Sequence, residues 1–260
     1  MACIRQKSLP WRTAWARHGG TAFMTFHLRA IALIAAILVP LSGLKAADLP
    51  DDAELIVGFE RIVFNAEILG RFSNAGFVKK FTGPVRFRVE NTARQDRRAE
   101  VEAFVRRIGR DIPGLETRMA EGNERADFVV HVVDQADYVS TARKVHRNPF
   151  MRVPGNCIVR ASYGRRGIER SDAVIVSDRG ERLFQRCLIE EILQGLGPLD
   201  DNPDAPSSVF NDTSTHTVLT RYDRIMMTML YDPRLRPGTS LNAARPLLPT
   251  LARDARRATR

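Results

Sequence analysis

The chain has 260 residues, of which 44% are hydrophobic and 27% charged, and its formal net charge is +10. The hydrophobic fraction suffices for one full-sized domain with a core of its own, after removal of any leader. The charge is no sign of a nucleic-acid partner: six basic residues and no acid fall within 1–47, and beyond them 34 basic residues stand against 30 acidic ones. No basic patch is interleaved with aromatics in the way nucleic-acid binding requires.

The first element is a leader. Arg29 precedes Ala30 to Leu44, an apolar run broken only by Pro40, Ser42 and Gly43, and Lys45-Ala46-Ala47-Asp48 closes it. A basic start, a short apolar run and a small-residue exit predict a secretory signal peptide over 1–47, cleaved after Ala46 or Ala47. Met24 is an alternative start that gives a leader of ordinary length. A spanning helix needs about 20 apolar residues, so membrane attachment is expected only through an uncleaved leader. The expected location is periplasmic or secreted. Cys157 and Cys187 are the two cysteines outside the leader, and an even pair in an oxidising compartment predicts a disulfide.

Residues 48–240 read as a single domain, without repeats or low-complexity linkers. Apolar residues at Leu55, Ile56, Phe59, Ile62, Val63, Ala66 and Leu69 predict a helix over 54–70. Val85 to Val89 alternates after Gly83-Pro84 and predicts a strand. Val101, Phe104, Val105 and Ile108 give an amphipathic helix over 96–110. Asp127 to Asp134 reads as a strand buried on both faces, and Tyr138 to His146 as a short helix. Cys157 to Tyr163 and Ile168 to Ser177 form a hairpin around Gly164-Arg165-Arg166-Gly167. Leu183, Cys187, Leu188, Ile192 and Leu196 supply the core stripe of a helix over 179–197. A loop rich in Pro, Asp and Asn follows. Thr220 then caps a final helix, with Asp223 completing a capping box and Ile225, Met226, Met229 and Leu230 as its apolar face. Residues 241–260 are basic and expected to be a disordered tail. The order predicts an α+β fold with one mixed sheet, a motif-bearing helix and a C-terminal helix.

The motif is Glu190-Glu191-Ile192-Leu193-Gln194-Gly195-Leu196-Gly197-Pro198-Leu199-Asp200. Its frame is that of H-E-x-x-H-x-x-G-x-x-[HD], with Glu190 and Gln194 in place of the two histidines. Positions four apart share a helix face, so Glu190 and Gln194 point the same way. Glu191, offset by one position, stands where a general base reaches a metal-bound water. Gly197 permits a sharp helix end that returns Asp200 as a third ligand.

On these residues the chain resembles the metzincin clan of zinc peptidases. Ser207-Ser208-Val209-Phe210-Asn211-Asp212 stands where that clan carries its Met-containing turn, and Leu219 to Tyr231 resembles its final helix. The block Cys187-x-x-Glu190-Glu191-x-x-Gln194-x-Leu196-Gly197, together with Asp201 or Asn202, Phe210-Asn211-Asp212 and Leu230-Tyr231-Asp232-Pro233-Arg234-Leu235, resembles a family of exported bacterial proteins with no assigned activity. The first resemblance implies a zincin-like fold with Glu191 as base and Glu190, Gln194 and Asp200 as a non-standard metal site. The departures bear on the chemistry: zinc favours His and Cys, whereas an all-oxygen set suits calcium or magnesium. A divalent metal is therefore an open expectation and tight zinc binding is not expected. His131 reads as a core histidine, His146 as a surface residue, and His216 as a loop residue able to approach the cleft.

Three readings follow. The cleft binds a peptide or envelope protein without catalysis; or it is an atypical metal-dependent hydrolase working through Glu191; or the domain is a structural envelope module. The crowded pair Glu190-Glu191 also reads as a solvated face or a buried structural device. Asp200, Asp201, Asn202 and Asp204 form an oxygen-rich loop with two readings: a calcium site, for which the EF-hand spacing and glycine are missing, and ordinary turn formers, the favoured one.

Overall fold

A computed structural model describes residues 49–64, 76–211 and 213–260. The expected leader, the helical reading of 65–70 and Asp212 lie outside the described residues. Five strands form one mixed sheet in the order β2-β1-β3-β5-β4. They are β1 (Val85–Asn91), β2 (Thr117–Met119), β3 (Phe128–Val133), β4 (Cys157–Gly164) and β5 (Gly167–Val176). The pairs β1/β2, β1/β3 and β3/β5 are parallel, and β4 runs antiparallel to β5 along one edge. Seven helices accompany the sheet among the described residues: α1 (Asp52–Phe64), α2 (Arg98–Asp111), α3 (Gln135–His146), α4 (Glu181–Gly195), α5 (Arg221–Tyr231), α6 (Leu241–Ala244) and α7 (Leu248–Ala258). The fold is thus mixed α/β around one mixed sheet.

Parallel neighbours require crossover connections, and α2 and α3 supply them. Strand alternation then sorts the core. Phe87, Phe128, Val130, Val132, Ala173 and Ile175 face one side, where they pack with α1, α2, α4, α5 and α7. Val133, Val174, Val176 and Ile158 face the other side and pack against Tyr138 and Ala142 of α3. That second face carries a polar row as well. His131 stands between Glu90 (Nδ1 to Oε2, 3.0 Å) and Asp172 (Nε2 to Oδ1, 3.1 Å). Arg170 pairs with the other Asp172 oxygen at 2.8 Å.

Two expectations are corrected. Strand β2 was not foreseen; three residues are too few for a periodicity, and its place is set by pairing with β1. The basic segment 241–260 is not a disordered tail. Leu248, Leu251, Ala252 and Ala255 recur at helical spacing and are buried, and α7 packs on α1 and α5. Two arginines of the segment form ion pairs: Arg256 of α7 with Asp52 at 2.9 Å and Arg245, at the end of α6, with Glu60 at 3.1 Å. Composition outweighed period in the sequence reading; the apolar stripe decides the outcome.

Candidate functional site

The motif helix α4 is held at three points. At its middle, Cys187 is bonded to Cys157 at the start of β4. One helical face further on, Gly195 lies so close to the Phe128 ring and the Val159 side chain that any Cβ there would collide with them. At its end, the Tyr231 hydroxyl donates to Leu196 O at 2.9 Å, and Ser171 Oγ donates to Gly195 O at 2.6 Å. Gly197 has φ of +148° and abuts the Lys79 carbonyl, so a side chain is excluded both by conformation and by space.

These anchors fix which way the two adjacent carboxylates point. Cys187, Glu191 and Gly195 are spaced by four and share one face. Cys187 is bonded to β4, and Gly195 packs on Phe128 of β3 and Val159 of β4, so Glu191 lies on the helix face turned to the sheet. The Tyr138 hydroxyl lies in the same region and donates to Pro154 O at 2.7 Å. Its pKa is raised first by burial and then by the Glu191 charge. Glu190 is turned away by one position and shares its face with Arg186, one turn before, and Gln194, one turn after. Arg186 Nε stands 3.3 Å from Glu190 Oε2. Gln194 Nε2 donates to Asp201 Oδ1 at 3.0 Å. Glu190, Glu191, Gln194 and Asp201 are all buried.

The acid that meets Gln194 is therefore Asp201. Asp200 lies within electrostatic reach of Lys79 and Arg61; burial raises its pKa against the opposing pull of the Asp201 N–H and of those two cations. Lys79 is fully buried, with Nζ 3.5 Å from Val63 O and 5.3 Å from the ring centres of both Phe77 and Tyr163. Burial lowers its pKa to about 8, although Asp200 opposes the shift. Its neighbour Lys80 donates to Leu230 O and Asp232 O at 2.9 Å, which satisfies the exposed carbonyls at the end of α5. Arg186 and the two lysines were not singled out from the sequence, and Asp201 was read as a loop residue, not as the partner of Gln194. The i−4 spacing to Glu190 was a usable signal for Arg186; a Lys-Lys pair between Val78 and Phe81 gave none.

Beneath α4, the turn expected from the Ser207–Asp212 block is built around Asp223. Asp223 Oδ1 accepts from Ser208 Oγ at 2.8 Å and from Val209 N at 3.1 Å. Its Oδ2 accepts from Thr220 N at 3.1 Å and from Thr220 Oγ1 at 2.6 Å, and Thr220 Oγ1 accepts from Asp223 N: the expected capping box. Val209 and Phe210 are buried where a methionine was looked for. Phe210 O accepts from Asn202 N at 2.7 Å, and Asn211 Nδ2 donates to Pro203 O at 2.9 Å. The turn is closed by its own hydrogen bonds and bears on the loop that carries Asp201.

The histidines lie elsewhere. His216 Nε2 is 3.1 Å from Pro206 O. His146 is half-buried, not a free surface residue, and burial followed by the nearby Arg160 lowers its pKa. His131 is satisfied on the far face of the sheet.

The zinc implied by the peptidase resemblance does not fit the donors present. Glu190 is paired with a guanidinium, and Gln194 spends its amide N–H on Asp201. The remaining donors are oxygens, whereas zinc sites are built from imidazole and thiolate with at most one or two carboxylates. Among the described residues, no three His, Cys, Asp or Glu side chains are grouped so as to hold an ion.

The fold and the site define a mixed α/β domain in which a buried carboxylate–amide helix is clamped by a disulfide to the edge strand of the sheet. Residues 52–250 match the family described as "Protein of unknown function (DUF2927)", and the chain belongs to that family. No curated protein matches it.

Proposed function

We propose that this is an exported bacterial domain that binds an extended peptide or envelope-protein segment in a metzincin-like cleft and does not hydrolyse it. The observation that carries this reading is the placement of α4. Its motif positions are engaged by protein groups, Arg186 on Glu190 and Asp201 on Gln194, while Cys187 ties the helix to a strand that pairs on one side only among the described residues.

The ladder geometry supports the binding mode. Val176 N donates to Asn156 O, which makes that pair a hydrogen-bonded one. Antiparallel pairs alternate, so Asn156, Ile158, Arg160 and Ser162 direct their backbone groups to β5. Cys157, Val159 and Ala161 direct theirs outward. An unpaired edge of this kind is the template to which an extended peptide adds a strand.

The test is to incubate the protein with a mixed library of decapeptides, with zinc, calcium or manganese added in turn. Mass spectrometry reads both what is retained and what is cleaved. The reading predicts retention of intact peptides and no cleavage. Cleavage that disappears in Glu191→Gln would replace it with the hydrolase reading, and failure to retain any peptide would leave the structural-module reading.

A further inference from the structure

The strand that offers its edge is embedded in the most one-sidedly charged stretch of the domain. From Tyr138 to Ile168 the chain has seven Lys and Arg side chains and neither Asp nor Glu. Arg147 and Arg152 are exposed in the loop that leads into β4, and Arg165 and Arg166 are exposed in the turn that leaves it. The edge therefore has cations at both ends. At about 3.3 Å per residue, the eight residues of β4 span roughly 26 Å. That distance is long enough for one peptide of about eight residues to reach both groups.

The two faces of the strand differ. On the α3 face, β4 presents Ile158, Arg160 and Ser162, and Arg160 Nη1 donates to Val145 O at 3.0 Å. On the α4 face it presents Val159 and Ala161, packed against the core. A strand added here alternates its side chains between those faces. Arg160 of the first face lies across from Asp172, so acidic side chains are favoured there chiefly by the exposed arginines at the two ends of the strand. On the second, small apolar side chains meet Val159 and Ala161. Phe150, 93% exposed in the same loop, offers an aromatic contact beyond the start of the strand.

We infer that the partner bound along the β4 edge is an acidic extended segment, with carboxylates at alternate positions and small apolar residues between them. This rests on the edge-binding reading above and goes beyond it by naming the partner's chemistry. A basic surface alone would serve an anionic membrane equally well; what favours a peptide is the outward row of Cys157, Val159 and Ala161 backbone groups between the two cationic ends, which a lipid headgroup layer does not use.

The test uses the full-length protein and fluorescence anisotropy with four probes. They are an end-blocked decapeptide of alternating glutamate and alanine, its counterpart with lysine for glutamate, the first peptide N-methylated at alternate residues, and vesicles of phosphatidylglycerol. Two variants accompany the wild type. Ala161→Pro removes an outward N–H without removing a ladder bond, a change edge strands tolerate. The other is Arg152→Glu combined with Arg166→Glu, both at exposed positions. The expected result is binding of the first peptide that weakens at least tenfold on N-methylation, in Ala161→Pro and in the charge variant, and that falls with salt. The lysine peptide is expected not to bind. If the lysine peptide or both peptides bind in an Ala161-dependent way, the edge-binding reading stands and the acidic partner is overturned. If no peptide binds, both fall. Vesicle binding that Ala161→Pro leaves unchanged, without peptide binding, would assign the basic surface to membranes and also overturn the inference.

Discussion

Gln194 donates its side-chain N–H to Asp201 across the turn that ends the motif helix, at 3.0 Å and with both side chains buried. The bond ties the motif helix to the loop that follows it. Removing the donor leaves a buried acceptor. Gln194→Ala is expected to lower stability by about 1–3 kcal/mol, read as a fall in the urea midpoint with an unchanged slope. A midpoint equal to wild type would show that the bond contributes nothing to holding this loop.

The Cys157–Cys187 disulfide joins the edge strand to the helix over a sequence separation of 30. A closed loop of that length contributes about 3–4 kcal/mol in the chain-entropy model. Serine at both positions is expected to lower stability by that order and to weaken peptide retention together with it, because α4 loses its covalent tie to β4. A thiol titration of the oxidised, unfolded protein that finds both cysteines reactive would refute the bond.

Asp223 is fully buried and accepts four hydrogen bonds, from Ser208, Val209 and two groups of Thr220. Asp223→Ala strands several donors at about 1–3 kcal/mol for each that finds no water. It should destabilise more than Gln194→Ala. Asp223→Asn keeps an oxygen for Ser208 and Val209 and should recover part of the loss. Equal thermal midpoints for the two Asp223 variants would mean that the hydrogen bonds to Oδ1 do not matter.

Asp172 gives a pH dependence with a defined sign. Burial alone would raise its pKa, but hydrogen bonds from His131 and Arg170 outweigh it and hold the value to about 2. The folded-state pKa lies below the unfolded value of about 4. The contribution is therefore complete above pH 4 and is lost as pH falls from 4 towards 2. With screening allowed for at the half-exposed Arg170, it amounts to on the order of 1–2 kcal/mol. Stability measured against pH should lose this increment over that interval in the wild type and not in Asp172→Asn. Parallel curves for the two proteins would contradict the assignment.

Much of the fold was legible because long periodic segments dictate their own structure. The stripes of α2 and α4, the β-branched run of β3, the hairpin turn at Gly164–Gly167 and the capping box of α5 all appear where spacing puts them. Strand β2 and helix α7 escaped for opposite reasons, one too short to carry a period and the other hidden by its arginines. At the site, the sequence gives the shared face of Glu190 and Gln194 and the pairing of the cysteines. It does not reveal Arg186 and Asp201 as their neighbours. Those contacts depend on where the turn after Gly197 places its acids, and adjacent Asp200 and Asp201 are indistinguishable by spacing alone. That Glu191 lies on the sheet-facing side of α4 follows only once Cys187 is seen bonded to β4 and Gly195 packed on Phe128 and Val159.

The central claim is that the motif positions are held by protein groups and not by a catalytic metal. Elemental analysis tests it most directly, on protein purified without chelator and without a polyhistidine tag, beside the double variant Glu190→Ala, Gln194→Ala. The account predicts no stoichiometric metal in either protein and no zinc retained after addition and dialysis. One ion per chain in the wild type, absent from the double variant, would contradict it.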